Sequence, residues 1–193
     1  MRLRAVPLLA ALVATACLAA CDSGDGRSLA PLDPDPTIAP VTQPPALEVF
    51  SLSSVAFSEG GAIPALYTCA GTSISPDMAW ASAPQAAELA LVVRDLNADG
   101  FVHWVITGID PAAQSFAAGA LPEGAQELQN SDGSIGWFAP CPPAGGGEHL
   151  YQFVLHAVPD PLDLDADEPA ERAAAAVEAA STDQAVLTGT FTR

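Results

Sequence analysis

The sequence contains no lysine. Its six basic residues are all arginine and face 23 acidic ones, giving a formal charge of −17 over 193 residues. This balance excludes nucleic-acid binding as a main role, because phosphate contacts need clustered cations. It also excludes adsorption onto an anionic membrane by charge alone. No G-x-S-x-G elbow is present, which removes the usual serine-hydrolase signature. The triple glycine 145–147 is not followed by Lys-Ser/Thr, which removes a phosphate loop of the nucleotide-hydrolase type. Histidine occurs only three times, so the place of each one matters. Half the residues are hydrophobic, enough for a sizeable core, and the length suits one domain.

The first 21 residues, "MRLRAVPLLAALVATACLAAC", begin with two arginines, continue as an apolar run and end in small residues. That is the pattern of a secretory signal, too short and wrongly flanked for a membrane span. Its end, Leu18-Ala19-Ala20-Cys21, resembles a bacterial lipobox, in which the cysteine is acylated and residues 1–20 are removed. Loss of Arg2 and Arg4 leaves the remainder more acidic still. Lipid on Cys21 would supply the membrane attachment that charge cannot. The expected location is therefore the extracytoplasmic face of a cell membrane.

With Cys17 in the signal and Cys21 as the anchor, Cys69 and Cys141 remain. In an exported protein they form a disulfide or stay as two separate buried thiols. A bond between them would close a long loop, worth about 4 kcal/mol in the chain-entropy picture.

Residues 21–45, the cysteine followed by a Pro- and Asp-rich stretch, read as a lipidated tether. From residue 46 to 193 the texture becomes that of a folded domain. "EVFSLSSVAF" (48–57), "ELALVVRD" (88–95), "FVHWVITGI" (101–109), "LYQFVLHAV" (150–158) and "AVLTGTF" (185–191) read as strands bounded by Gly, Pro, Asn and Asp. "EPAERAAAAVEAAS" (168–181) reads as a helix, with Pro169 and acidic residues at its start and an alanine run within. Residues 110–149 read as long Pro- and Gly-rich loops. The expectation is a mainly β domain with one late helix, not alternating βαβ units.

"DLNADGFVHW" (95–104) opens like a calcium loop, with Asp95, Asn97, Asp99 and Gly100 in place. The twelfth position, which should be a bidentate glutamate, is Ile106, and the flanks read as strands rather than helices. Calcium is therefore not expected here. The acidic run Asp163 to Glu168 lacks the glycine and the terminal glutamate and reads as a solvated approach to the helix. Strict alternation places Phe101, His103 and Val105 on one strand face, opposite Val102, Trp104 and Ile106. It places His149, Tyr151 and Phe153 together on another strand, opposite His156. His103 and His149 each begin a strand beside a loop of special composition, whereas His156 reads as structural.

"YTCAGTSISPDMAW", "LALVVRDLNADGFVHWVI", "GWFAPCPPAGGGEHLYQFVLHAV" and "VLTGTFTR" together resemble the phosphatidylethanolamine-binding protein family, in particular its bacterial Raf kinase inhibitor-like branch. The likeness covers about residues 50–193. It implies a mainly β fold, with a large antiparallel sheet packed on a smaller one plus peripheral helices. It further implies a small pocket for phosphate or a phospholipid head group. On this likeness the family's D-P-D motif falls on Asp95-Leu96-Asn97, its pocket histidine on His103 and its proline wall on Pro142 and Pro143. Its G-x-H-R-Y motif falls on Gly147 to Tyr151, and its S-P element on Ser75-Pro76. Asn97 stands where the family has an acid, and Leu150 where it has an arginine. Both cysteines fall in loops that the family places near the pocket.

The chemistry is consistent with that placement. His103, His149 and Tyr151 can donate to an oxyanion, and Asp95 can orient an imidazole. The two histidines and Asp95 are also zinc-compatible ligand types, though no cofactor or metal is expected. The reading is a membrane-anchored binding module for a small anion, not an enzyme. The alternative is an inhibitor or regulator of a partner protein through the same pocket region.

Overall fold

The computed structural model describes residues 49–193; the signal, Cys21, the tether and the start of the domain at residue 46 lie outside the described residues. In chain order the elements are β1 (Ser51–Ser53), β2 (Gly61–Ala62), a 3-10 turn (Ala65–Tyr67), β3 (Met78–Ala81), β4 (Glu88–Asp95) and β5 (Val102–Ile109). There follow β6 (Ser115–Phe116), β7 (Gln126–Glu127), β8 (His149–Val158), α1 (Ala170–Ala180) and β9 (Asp183–Phe191). A six-stranded sheet has the order β2-β9-β8-β4-β5-β7, and a three-stranded sheet the order β1-β3-β6. All pairings are antiparallel except β2 with β9. The expected large sheet on a smaller one, with a peripheral helix, is the observed architecture.

The large sheet is buried on both faces, which is why β4 is a nearly continuous apolar run. Leu89, Leu91 and Val93 of β4 join Tyr151, Phe153 and Leu155 of β8 and pack toward the small sheet's Leu52, Met78 and Trp80. Ala90 and Val92 face the other way, onto Ala173, Ala174 and Val177 of α1. Arg94, next on that face, bonds Glu171 at 2.9 Å and Glu178 at 3.1 Å. Ion pairs with exposed carboxylates contribute about 0–1 kcal/mol each. Full burial of a valine such as Val177 contributes roughly 1.5–3 kcal/mol. Apolar packing therefore does more than the ion pairs to dock the helix.

The first expected strand shrinks from 48–57 to three residues. Asp77 takes the Ser54 hydroxyl (3.1 Å) and the Val55 N–H (2.9 Å), and Ser54 Oγ accepts the Ala56 N–H (3.1 Å). Side chains that satisfy the backbone locally replace ladder partners there. The loop region 110–149 contains β6 and β7, each two residues long and formed only by pairing with β3 and β5.

One departure from alternation decides the site. β4 pairs Val93 with Trp104 and Arg94 with Val102, which leaves His103 without a partner in the register. This bulge corrects the expected faces of β5. Val102 and Val105 both join the helix-side cluster. His103 instead turns toward the same side as Trp104, and both rings contact Trp137, at 6.4 Å and 5.4 Å. Re-aiming a side chain is the usual consequence of an extra residue in one strand.

Candidate functional site: a pocket between two histidines

The pocket lies where β4, β5 and β8 meet their loops. The D-x-N-x-D-G stretch forms the β4–β5 hairpin turn. Asp99 (φ 51°) and Gly100 (φ 76°) take the left-handed conformations that an Asp-Gly turn supplies. The turn is closed by Asp95 N–H donating to Phe101 O and Phe101 N–H donating to Ala98 O, both at 2.9 Å. The Asp95 and Asn97 oxygens that would face a calcium ion serve the protein instead. Asp95 Oδ1 accepts the Asn97 N–H at 2.8 Å, and Asn97 Oδ1 accepts the Leu150 N–H at 2.8 Å. Leu96 N–H donates to Leu150 O at 2.9 Å, so the turn is clamped to the start of β8.

That clamp positions His149, whose Nδ1 lies 2.7 Å from Asp95 Oδ2. A carboxylate only accepts, so the hydrogen sits on Nδ1. His103 is held in the same manner. Its Nδ1–H donates to the Phe138 carbonyl at 2.7 Å, while Phe138 N–H donates back to His103 O at 2.9 Å. Phe101 and Phe138 flank the ring at 4.9 Å and 5.8 Å. Burial pushes the His103 pKa below the usual imidazole value; the Phe138 carbonyl and Asp95 partly oppose this, and His149 adds to it.

Both rings line one pocket of about 120 Å³, together with Asp95 and a wall that includes Pro142 and Pro143. The space holds about four waters at ~30 Å³ each. It is well below the ~300 Å³ at which drug-sized sites begin. A more open groove of about 520 Å³ runs past Val55, Tyr67, Asp77 and Phe116. Its carboxylate, Asp77, is already engaged by Ser54 and Val55.

Of the residues expected at the site, Asp95, His103, Pro142 and His149 come together at the pocket. Asn97 and Tyr151 do not line it. Asn97 holds the backbone of β8, as above. Tyr151 is fully buried behind the two histidines, edge-on to His103 at 5.2 Å and stacked on His149 at 6.4 Å. Its hydroxyl has no partner in hydrogen-bond geometry, although the Asp95 carboxylate is near enough to act on it. Burial first, and Asp95 second, push the phenol pKa well up. Tyr151 thus packs against both rings from outside the pocket lining. Ser75-Pro76 also lies outside the lining. Phe101, Phe138 and Cys141 line the pocket as well, although sequence reasoning does not mark them as ligand-binding. Phe101 shares its strand with His103, but no local pattern marks Phe138.

Cys69 and Cys141 are bonded, with Cα atoms 5.3 Å apart. Cys69 N–H also donates to Pro140 O at 3.1 Å, so the proline wall is tied to the 3-10 turn by a covalent and a hydrogen bond. His156 is buried on the helix side with its Nδ1 3.1 Å from Ser181 Oγ, away from the pocket.

Two packed β-sheets with a concave, histidine-lined site at the strand ends define a ligand-binding β protein. The chain belongs to the phosphatidylethanolamine-binding protein family, whose family model matches residues 53–192. A Mycobacterium tuberculosis protein named "Putative lipoprotein LppC" is 41% identical over 187 residues, covering 94% of this chain and 93% of its own length. The solved structure of CT736 from Chlamydia trachomatis is 30% identical, covers 75% of this chain and 97% of that one, and superposes with a TM-score of 0.67. Escherichia coli YbcL, described as a member of the mammalian family, has a TM-score of 0.70 over 75% of this chain and 98% of its own. At 24% identity it bears on the fold alone.

Proposed function

We propose that the pocket binds a small oxyanion, a phosphate-like or carboxylate group, and takes up a proton as it does so. One observation carries this reading: both Nδ1 atoms are committed to protein acceptors, so the Nε2 atoms of His103 and His149 are left for the pocket. A neutral imidazole with its hydrogen on Nδ1 presents a bare acceptor at Nε2. Each ring becomes a donor to an anion only when protonated. Protonated His149 beside Asp95 is a neutral pair overall, so the ligand meets N–H dipoles more than net charge. Affinity on the order of millimolar follows from so few hydrogen bonds.

Binding without turnover fits the lining. Its sulfur belongs to the Cys69–Cys141 bond, and the other side chains supply no hydroxyl or thiol nucleophile. A phospholipid head group suits the pocket through its phosphoryl oxygens, since the volume admits that group and not the whole lipid. The same mouth suits an acidic or phosphorylated side chain of a partner, which is the regulator reading.

The module is proposed to be exported and held at the membrane by lipid on Cys21. The lipobox-like run and the lipoprotein name of the 41% identical relative support this. Cys21→Ala should release the protein from the membrane fraction or block its processing. Normal maturation and membrane fractionation of that variant would refute the anchor. For the pocket, titration with sulfate, whose charge is constant near neutrality, should shift the His103 and His149 ring resonances. Shifts confined to Asp95, Asn97 and Asp99 on adding calcium, with no anion response, would reverse the assignment.

A further inference from the structure

β9 is nine residues long, yet β2 covers its outer edge only at Gly189 and Thr190. Its inner edge pairs with β8 without a break from Asp183 to Phe191. Thr188 shows which backbone groups point outward. Its N–H donates to Glu59 Oε2 and its C=O accepts the Gly60 N–H, both at 2.8 Å. In an unbroken antiparallel ladder, alternation sends the N–H and C=O of Val186 and Gln184 the same way. Asp183 Oδ1 takes the Gln184 N–H at 2.8 Å. The Val186 N–H and C=O and the Gln184 C=O meet no partner among the described residues. The Val186 side chain is 41% exposed.

An open strand edge is a template for another extended chain, and proteins cover or charge such edges. Here Glu59 and Gly60 cover one end of the stretch. The other end borders a groove of about 310 Å³ lined by Glu178, Ser181, Thr182, Asp183 and Gln184. Asp183 makes no ion pair among the described residues, and Arg94 engages one oxygen of Glu178 at 3.1 Å. α1 ends here too, with no basic residue in its last turn and Ser181 in an extended conformation. The partial negative charge of a helix C-terminus adds to that of the carboxylates. This part of β9 lies opposite Phe153 to Ala157, away from His149 and the anion pocket.

We infer that the β9 edge from Asp183 to Leu187 is a docking site for an extended, cationic segment of a partner protein. The segment adds as a strand beside β9, and its backbone meets the open groups of Val186 and Gln184. An apolar side chain covers Val186, and a lysine or arginine enters the groove beside Asp183 and Glu178. In this mode the backbone bonds supply affinity and the side-chain sites supply specificity. A second copy of this chain suits the edge less well. It would bring its own Asp183 and Glu178 to the same place, and each copy carries −17. The stretch spans about 16 Å of strand, so the contact is short, weak and sensitive to salt.

The test uses the full-length protein in detergent and a short capped peptide of alternating lysine and valine. A glutamate–valine peptide of the same length is its counterpart. Calorimetry at low salt should show binding of the lysine peptide and none of the glutamate peptide. Hydrogen exchange at the Val186 amide should slow when the lysine peptide is added. Asp183→Asn should weaken binding about threefold, the scale of an exposed ion pair. Val186→Pro removes the outward N–H and should abolish binding. The same loss is expected for a lysine peptide methylated at its backbone nitrogens, which leaves the protein unaltered. Undiminished binding of the methylated peptide would overturn the strand-addition mode. Equal binding of the two charge types, or no binding of either, would overturn the cationic partner. Self-association of the protein that Val186→Pro abolishes would assign the edge to a second copy and overturn it as well.

Discussion

The Nδ1 atom of His149 stands 2.7 Å from Oδ2 of Asp95, across the neighbouring ends of β8 and β4. The other oxygen of Asp95 accepts the Asn97 N–H. One buried carboxylate therefore fixes both an imidazole tautomer and a hairpin turn.

Asp95→Ala should lose both functions together. Removing an acceptor of charge-assisted bonds from a buried site costs roughly 2 kcal/mol, read as a lower urea midpoint. The His149 ring nitrogens should then show mixed tautomers by nitrogen NMR. A single unchanged tautomer in the variant would contradict the orienting role.

Sulfate binding should strengthen as pH falls. His103 is pushed below the ordinary imidazole range chiefly by burial, so its protonation, and the donor at Nε2, require pH below about 6.5. Calorimetry at pH 7.5 and 5.5 should show the tighter binding at 5.5. His103→Ala and His149→Ala should each weaken it about fivefold or more, and His156→Ala should not. Binding that is independent of pH would remove the proton-linked mechanism.

Stability should run the other way with pH. His103 and His156 both have lowered pKa values, first by burial. For His156, Glu178 partly opposes the shift and Arg94 adds to it. Below about 6.5 the unfolded chain takes protons that the folded chain refuses, so stability falls as pH drops through that value toward the folded pKa. Glu88, whose pKa is raised chiefly by burial, acts in the opposite sense at lower pH. Urea midpoints from pH 7.5 to 5.5 should decline without ligand, and His156→Gln should flatten part of the slope. A level profile in the unmodified protein would count against the burial argument.

Reducing the Cys69–Cys141 bond should cost about 4 kcal/mol on the chain-entropy scale for a loop of this length. It should also weaken anion binding, because Cys141 begins the Pro142–Pro143 wall. Thermal melts and sulfate titrations with and without reductant separate the two effects. Unchanged binding after full reduction would show that the wall holds its shape without the bond.

The sequence by itself determined the elements with enough local pattern to declare themselves. β4, β5, β8, β9 and α1 are eight residues or longer, and their apolar runs and flanking Pro, Gly and Asp placed them closely. The cysteine count narrowed any bond to one pair, and the motif resemblance picked out His103 and His149. Two-residue strands such as β6 and β7 have no period to read and exist only through their partners. Alternation assigned His149 and Tyr151 to one face but could not show Tyr151 packed against the rings from outside the pocket lining. It placed His103 on the wrong side of Trp104, because the bulge arises from how β5 pairs with β4. Only the tertiary structure decided which imidazole nitrogen meets the pocket. His103 is oriented by a carbonyl 35 residues away and His149 by a carboxylate 54 residues away, and no local spacing encodes such bonds.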